Sequence, residues 1–144
     1  MVRIYIVDVF TKEPFEGNRA GVVYWANELP EDVIKGIAAE IASSETVFIY
    51  RSPKGAPRLR FITPTGVEVD ACGHATIAAL HILREANLIE SVSSLITNAG
   101  ELTVAVGGDP TYAIRMAGVD LKPVEVKPSK VAKSLGLEVG DIEL

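Results

Sequence analysis

The stretch Phe61-Ile62-Thr63-Pro64-Thr65-Gly66-Val67-Glu68-Val69-Asp70-Ala71-Cys72-Gly73-His74-Ala75-Thr76-Ile77-Ala78-Ala79-Leu80 decides how this chain folds. It runs from the end of a strand, through a polar turn at Thr63 to Gly66, into a short extended piece. That piece ends at Cys72-Gly73-His74, where a helix begins and continues to about Ala86. Ala75, Ile77, Ala78, Ala79, Leu80, Ile82 and Leu83 leave that helix almost no polar face, so it is expected to be buried on all sides. Its small alanines let strands approach closely. The expected fold is therefore α+β, with a mixed, largely antiparallel curved sheet wrapped around a central apolar helix.

Working outward, strands are expected at Arg3 to Phe10, Ala20 to Trp25, Thr46 to Tyr50, Arg58 to Ile62, Leu95 to Thr97, Glu101 to Val106 and Tyr112 to Met116. Thr11 to Arg19 is a loop punctuated by Pro14 and Gly17-Asn18, and Gly108 to Thr111 is a hairpin turn. Pro30 is expected to occupy the first turn of a helix, with Glu31 and Asp32 at its positive end. Val33, Ile34, Ile37, Ala38 and Ile41 give that helix one apolar stripe. Asn87 caps the central helix in a left-handed conformation, the text turns irregular from Val119 to Pro128, and Ser129 to Leu135 forms a last short helix.

Composition narrows the function classes. A hydrophobic content of 48% and a charged content of 23% over 144 residues indicate one domain with a filled core and exclude disorder. A net charge of −5 without any basic stripe argues against nucleic acid as a partner. The single cysteine permits no internal disulfide, which fits a reducing, cytoplasmic setting. The apolar run at Ile4 to Val7 is far too short for a signal or a membrane span, so no membrane partner is expected.

The helix beginning at Gly73 is the chemically useful place. Unpaired N–H groups of a first turn carry partial positive charge and receive carboxylates or phosphates. Asp70, Cys72 and His74 alternate in what reads as an extended stretch, which turns all three to one side. That pattern raises a metal, but without a second ligand cluster none is expected.

Three motifs, in order and at matching spacing, resemble the PhzF family of phenazine-biosynthesis isomerase-like proteins. They are Val7-Asp8-Val9-Phe10-Thr11 leading through Pro14-Phe15 and Gly17-Asn18 to Ala20-Gly21-Val22-Val23, then Ser43-Ser44-Glu45-Thr46-Val47-Phe48-Ile49, then the stretch from Phe61 to Thr76. Arg19 and Ala71 depart in minor ways from what the family usually carries there. The resemblance implies one lobe of the diaminopimelate epimerase-like fold over residues 1-120. Residues 121-144 would then be an extension at the start of a second lobe, since members of the family are about twice as long.

The resemblance also implies roles. Glu45 would be the general acid/base, and His74 would line the substrate cleft as a second catalytic group. Asn18, Cys72, Gly73, Ala75 and Thr76 would touch a small carboxylate substrate, with no cofactor and with a homodimer completing the cleft. Read from position alone, Glu45 is equally a solvated glutamate at a helix–strand junction, His74 a capping residue, and Asn18 a turn residue. Cys72 is either a small buried side chain or, with a thiol made acidic by the helix start, the nucleophile of a cysteine-based racemase. A single lobe that binds an acid without turning it over is the non-enzymatic alternative.

Overall fold

The computed structural model describes residues 2–52, 55–89, 92–108, 111–115 and 125–142. β1 (Arg3–Val9) and β2 (Asn18–Tyr24) form an antiparallel pair, and α1 (Glu31–Ile41) then carries the chain to β3 (Thr46–Tyr50), parallel to β2. β4 (Arg58–Ile62) returns antiparallel to β3, and β5 (Glu68–Val69) folds back on its end. The turn between them closes through Gly66 N–H to the Thr63 carbonyl at 2.9 Å, and Gly66 takes a φ of 78° that a side chain would resist. α2 (Gly73–Glu85) follows, then β6 (Val92–Thr97), β7 (Gly100–Val106), β8 (Tyr112–Ile114) and α3 (Pro128–Leu135). The sheet order is β1-β2-β3-β4-β6-β7-β8, with β5 and β6 sharing one edge of β4. Because β5 is so short, residues 70–72 pass to the inner side of the sheet at that point, and the Ala99 N–H bonds the Asp70 carbonyl there at 3.2 Å.

Strand alternation divides the apolar residues into two layers. Val22, Val47, Ile49, Leu59 and Phe61 point inward to Ala75, Ala78, Ala79, Leu80 and Leu83 of α2. Val23, Phe48 and Ile62 point the other way, to Ile34 and Ala38 of α1. Cross-strand register aligns Val22 with Val47 and Val47 with Phe61, so the inner layer is continuous across three strands. The curled, mixed α+β sheet around an apolar helix is the expected architecture.

Several details differ from the sequence expectation. β1 stops before Phe10 and β2 before Trp25, because both aromatics adopt left-handed backbone, at φ 66° and 59°. β2 begins two residues earlier than expected, at Asn18, and β6 three earlier, at Val92. Pro30 is the N-cap of α1, with an extended ψ of 155°, rather than a first-turn residue. The final helix starts one residue sooner, at Pro128. Asn87 is left-handed as expected, at φ 55°. Met116, the turn residues Asp109 and Pro110, and most of the irregular segment from Val119 lie outside the described residues.

The largest correction concerns α2. His74, Ile77, His81 and Arg84 lie on one face and are only partly buried, because β1 and β8 do not pair with each other. A cleft of about 530 Å³ lies in that gap, lined by Val7, Val9, Ile77, His81 and Tyr112 among others. His81 Nδ1 and the Tyr112 hydroxyl meet there at 2.9 Å. The helix is thus enclosed on every side but one.

Outside the inner layer, Arg60 ties α1 to the sheet. Its guanidinium donates to Glu68 at 2.7 and 2.9 Å, to Glu31 at 2.9 and 3.0 Å, and to the Tyr50 hydroxyl at 3.2 Å. These bonds hold the Glu68 and Glu31 carboxyls below their ordinary value of 4.5. Both carboxyls are more acidic folded than unfolded, so their stabilisation is present above pH 4.5 and is lost as pH falls through the depressed folded values. Arg60→Ala is expected to lower stability by about 2 kcal/mol at pH 7, mostly because the half-buried Glu68 keeps, among the described residues, only the Asn98 amide as a partner. Urea titrations at neutral and acidic pH check this: the difference between wild type and variant should shrink in acid, and a constant difference would contradict the assignment.

Candidate active site

Glu45 reaches its place through the crossover between two parallel strands. α1 ends at Ala42, whose left-handed φ of 53° lets its N–H bond the Ala38 carbonyl and turns the chain sharply toward β3. Ser43 is buried, Ser44 is exposed, and Glu45 stands immediately before the first residue of β3. Gly21 fixes how closely α1 approaches that junction. A Cβ there would stand 2.8 Å from both Ile41 and Thr46.

α2 begins against the same junction. Cys72 is its N-cap, with extended φ −148° and ψ 115°, and the Thr76 N–H finds the Cys72 carbonyl at 3.0 Å. The Thr76 hydroxyl donates to the same carbonyl at 2.7 Å, so this buried side chain ties the first turn together. The amides of Gly73, His74 and Ala75 precede the first intrahelical bond and have no helical acceptor. Gly73 is exposed, and nothing lies within 4 Å of where its Cβ would be.

The two elements bring three side chains together. His74 Nε2 lies 3.7 Å from Glu45 Oε2, and His74 Nδ1 lies 3.2 Å from Cys72 Sγ. Side-chain exposure is 11% for His74 and 23% for Glu45, so Glu45 is not the solvated glutamate that position alone allows. Ser44 Oγ, absent from the residues picked out in the sequence, is 3.3 Å from His74 Nε2. Its place beside Glu45 in the Ser43-Ser44-Glu45 motif was the signal for it.

Other expected residues are placed differently. Asn18 is exposed at the start of β2, on the end of the sheet where β3 also begins, and among the described residues no hydrogen bond or ion pair joins its side chain to the Glu45 group. Asp70 is exposed and outside the cluster, although its alternation with Cys72 and His74 suggested one shared face. The helix begins between Cys72 and His74, so a period of two does not carry through. Cys72 is also not the acidic thiol that a helix start suggests. Burial pushes it up to about 11, the Glu45 carboxylate adds to the rise, and the Ala75 and His74 amides only partly offset it.

Chemically, the arrangement offers a half-buried carboxylate for proton transfer, an imidazole beside it, and an open set of amide donors for an anion. Among the described residues, no helix is long and apolar enough to cross a membrane.

The family described as phenazine biosynthesis-like protein, PhzC-PhzF, matches residues 7–141. The chain is 37% identical to the uncharacterized isomerase YfhB of Bacillus subtilis over 135 residues, which are 90% of this chain and 46% of that protein. It is 49% identical over 80 residues to the uncharacterized isomerase YddE of Escherichia coli, covering 56% of this chain and 27% of the relative. The crystal structure of a PhzF-family phenazine biosynthesis protein from Bacillus anthracis superposes with a TM-score of 0.81 at 34% identity, covering 97% of this chain and 48% of that one. The chain thus spans about half the length, or less, of the proteins it matches.

The state of Cys72 is directly measurable. With the thiol at about 11, its alkylation by iodoacetamide should still be accelerating between pH 8 and pH 10. A rate that levels off near pH 8 would show an activated thiol and revive the nucleophilic reading.

Proposed function

The chain belongs to the PhzC-PhzF family of phenazine biosynthesis-like proteins, and from that membership we propose that it is a cofactor-independent isomerase that moves a proton between carbons of a small carboxylate-bearing substrate. The observation that carries this reading is the Glu45 carboxylate, 23% exposed, set 3.7 Å from His74 beside the start of α2. The relatives' description as isomerases supports it.

In this reading the substrate carboxylate lies on the amides of Gly73, His74 and Ala75, where the open space over Gly73 admits it. Glu45 removes a proton from the neighbouring carbon, and the electron pair left behind spreads into the adjoining conjugated system. The protonated Glu45 then returns the proton to another carbon of that system, so no atom is gained or lost. His74 orients the carboxylate and hydrogen-bonds the developing charge. Cys72, with a thiol pushed up to about 11, takes no part as a base.

A second copy completes the cleft. Glu45, Gly73 and His74 line only one wall, and the apolar side chains on the same end of the sheet stand in the open. Phe10 is 76% exposed and Phe15 96%, and both follow the end of β1 at which β2 and β3 begin. Exposed aromatics at the rim of a one-walled site are suited to a twofold contact.

Glu45→Gln is expected to preserve the fold and to lower solvent-deuterium exchange into a bound small carboxylate by about 10²–10⁴-fold, with Cys72→Ala nearly unchanged. Mass spectrometry of a panel of small unsaturated carboxylic acids, with amino and hydroxy acids alongside for the racemase alternative, incubated in deuterium oxide measures this. The opposite ranking of the two variants would favour the cysteine-based racemase, and no exchange in the wild type would favour a lobe that only binds. Light scattering should show a dimer at micromolar concentration; a monomer would remove the completed cleft.

A further inference from the structure

We infer that Glu45, Cys72 and His74 form a binding site for a single soft divalent metal ion, of which Zn²⁺ is the type, and that the ion switches the site off. Binding stands on geometry alone; the switching rests on the proton-transfer reading given above.

One ligand atom from each of the three residues lies within 4.8 Å of the other two. A tetrahedral zinc with bonds of about 2.0–2.3 Å sets its ligand atoms roughly 3.3–3.8 Å apart. Cys72 Sγ and His74 Nδ1 are already at 3.2 Å, whereas Glu45 Oε2 lies 3.7 Å from the other ring nitrogen, Nε2, so the carboxylate is the ligand that swings toward the sulfur side of the ring to complete the set.

The donor set is chemically selective. Thiolate, imidazole and carboxylate together suit zinc and its soft neighbours, and do not suit the oxygen-seeking magnesium or calcium. On binding, the Cys72 S–H bond breaks, its proton leaves to water, and the S–Zn bond forms. The carboxylate, the thiolate and the doubly charged ion then sum to zero, which a half-buried site tolerates. The helix start opposes the cation but favours the thiolate that ligates it. Ser44 Oγ, 3.3 Å from His74 Nε2, holds the ring with its Nδ1 toward the sulfur, as outer partners of metal-bound histidines do. A water supplies the fourth ligand, as in zinc sites with three protein ligands.

The inhibitory sense follows from the shared carboxylate. A metal-bound Glu45 is a far weaker base toward a carbon-bound proton, because the ion's charge draws on its electron pairs, and the same charge draws the substrate carboxylate off the helix amides.

Adding Co²⁺ to the reduced protein tests the binding directly. The expected result is a sulfur-to-cobalt charge-transfer band with tetrahedral d–d absorption at one ion per chain, displaced by Zn²⁺. Cys72→Ser should remove the charge-transfer band, and Glu45→Gln and His74→Gln should each weaken Zn²⁺ at least about tenfold. Ser44→Ala should weaken it by about 10-fold while leaving every ligand in place. Circular dichroism keeps these comparisons to folded variants. Octahedral cobalt without the charge-transfer band, or Zn²⁺ affinity indifferent to all four substitutions, would overturn the site. Stoichiometric Zn²⁺ should stop deuterium exchange and a chelator restore it; exchange that continues in the zinc-loaded protein would overturn the switch. If zinc binds but the metal-free protein exchanges nothing, the metal site stands and the isomerase reading fails.

Discussion

An almost wholly apolar helix must be kept from water, and the rest of the molecule is arranged around that requirement. The alanines of α2 leave room for β2 and β3 to pass close to it, with Val22, Val47 and Phe61 filling the space between. The sheet therefore curls, and its two ends, β1 and β8, come to face one another across the helix without pairing. Placing a helix inside a curl also forces its beginning to the rim. That is why the amides of Gly73 to Ala75, which have no helical acceptor, stand at the same place as the junction that carries Glu45.

Glu45 is held from the opposite side of the sheet. α1 packs on the outer face through Ile34 and Ala38, and its last residues press on Gly21 and Thr46. Arg60 secures α1 at its other end through Glu31. The carboxylate's position thus depends on an outer helix and the imidazole's on an inner one, with the sheet as the common reference. Buried Ser43 and Thr46, on either side of Ser44-Glu45, leave their hydroxyls without a partner among the described residues.

Much of this was legible beforehand, and what was not has definite physical causes. β3 and β4 were readable to the residue because both are short runs of branched and aromatic side chains bounded by polar turns. Phe10 and Trp25 were misread because they have strand-like side chains on left-handed backbones, a choice made by the following chain and not by propensity. The open stripe of α2 was invisible, since composition reports how apolar a helix is and not whether a sheet closes over it. Glu45 and His74 are far apart in sequence, and periodicity does not reveal that they meet. Only the family motifs pointed to both. Asp70 shows the opposite failure, where a local pattern implied a shared face that the start of the helix abolished.

The strand order also governs how such a chain acquires its structure. Five of the strand pairings, β1–β2, β3–β4, β4–β5, β6–β7 and β7–β8, join consecutive strands and close short loops. The parallel seams β2–β3 and β4–β6 are different, for each can form only after an entire helical crossover has been drawn back across the sheet. The entropy lost in closing those long loops precedes any reward from their contacts, so the seams, rather than the hairpins, set the pace of folding. The Glu45 junction lies on the first seam and the start of α2 belongs to the second crossover. The two halves of the candidate site are therefore assembled by the slowest steps in the chain's own formation, and a nascent chain would hold its hairpins well before it held its chemistry.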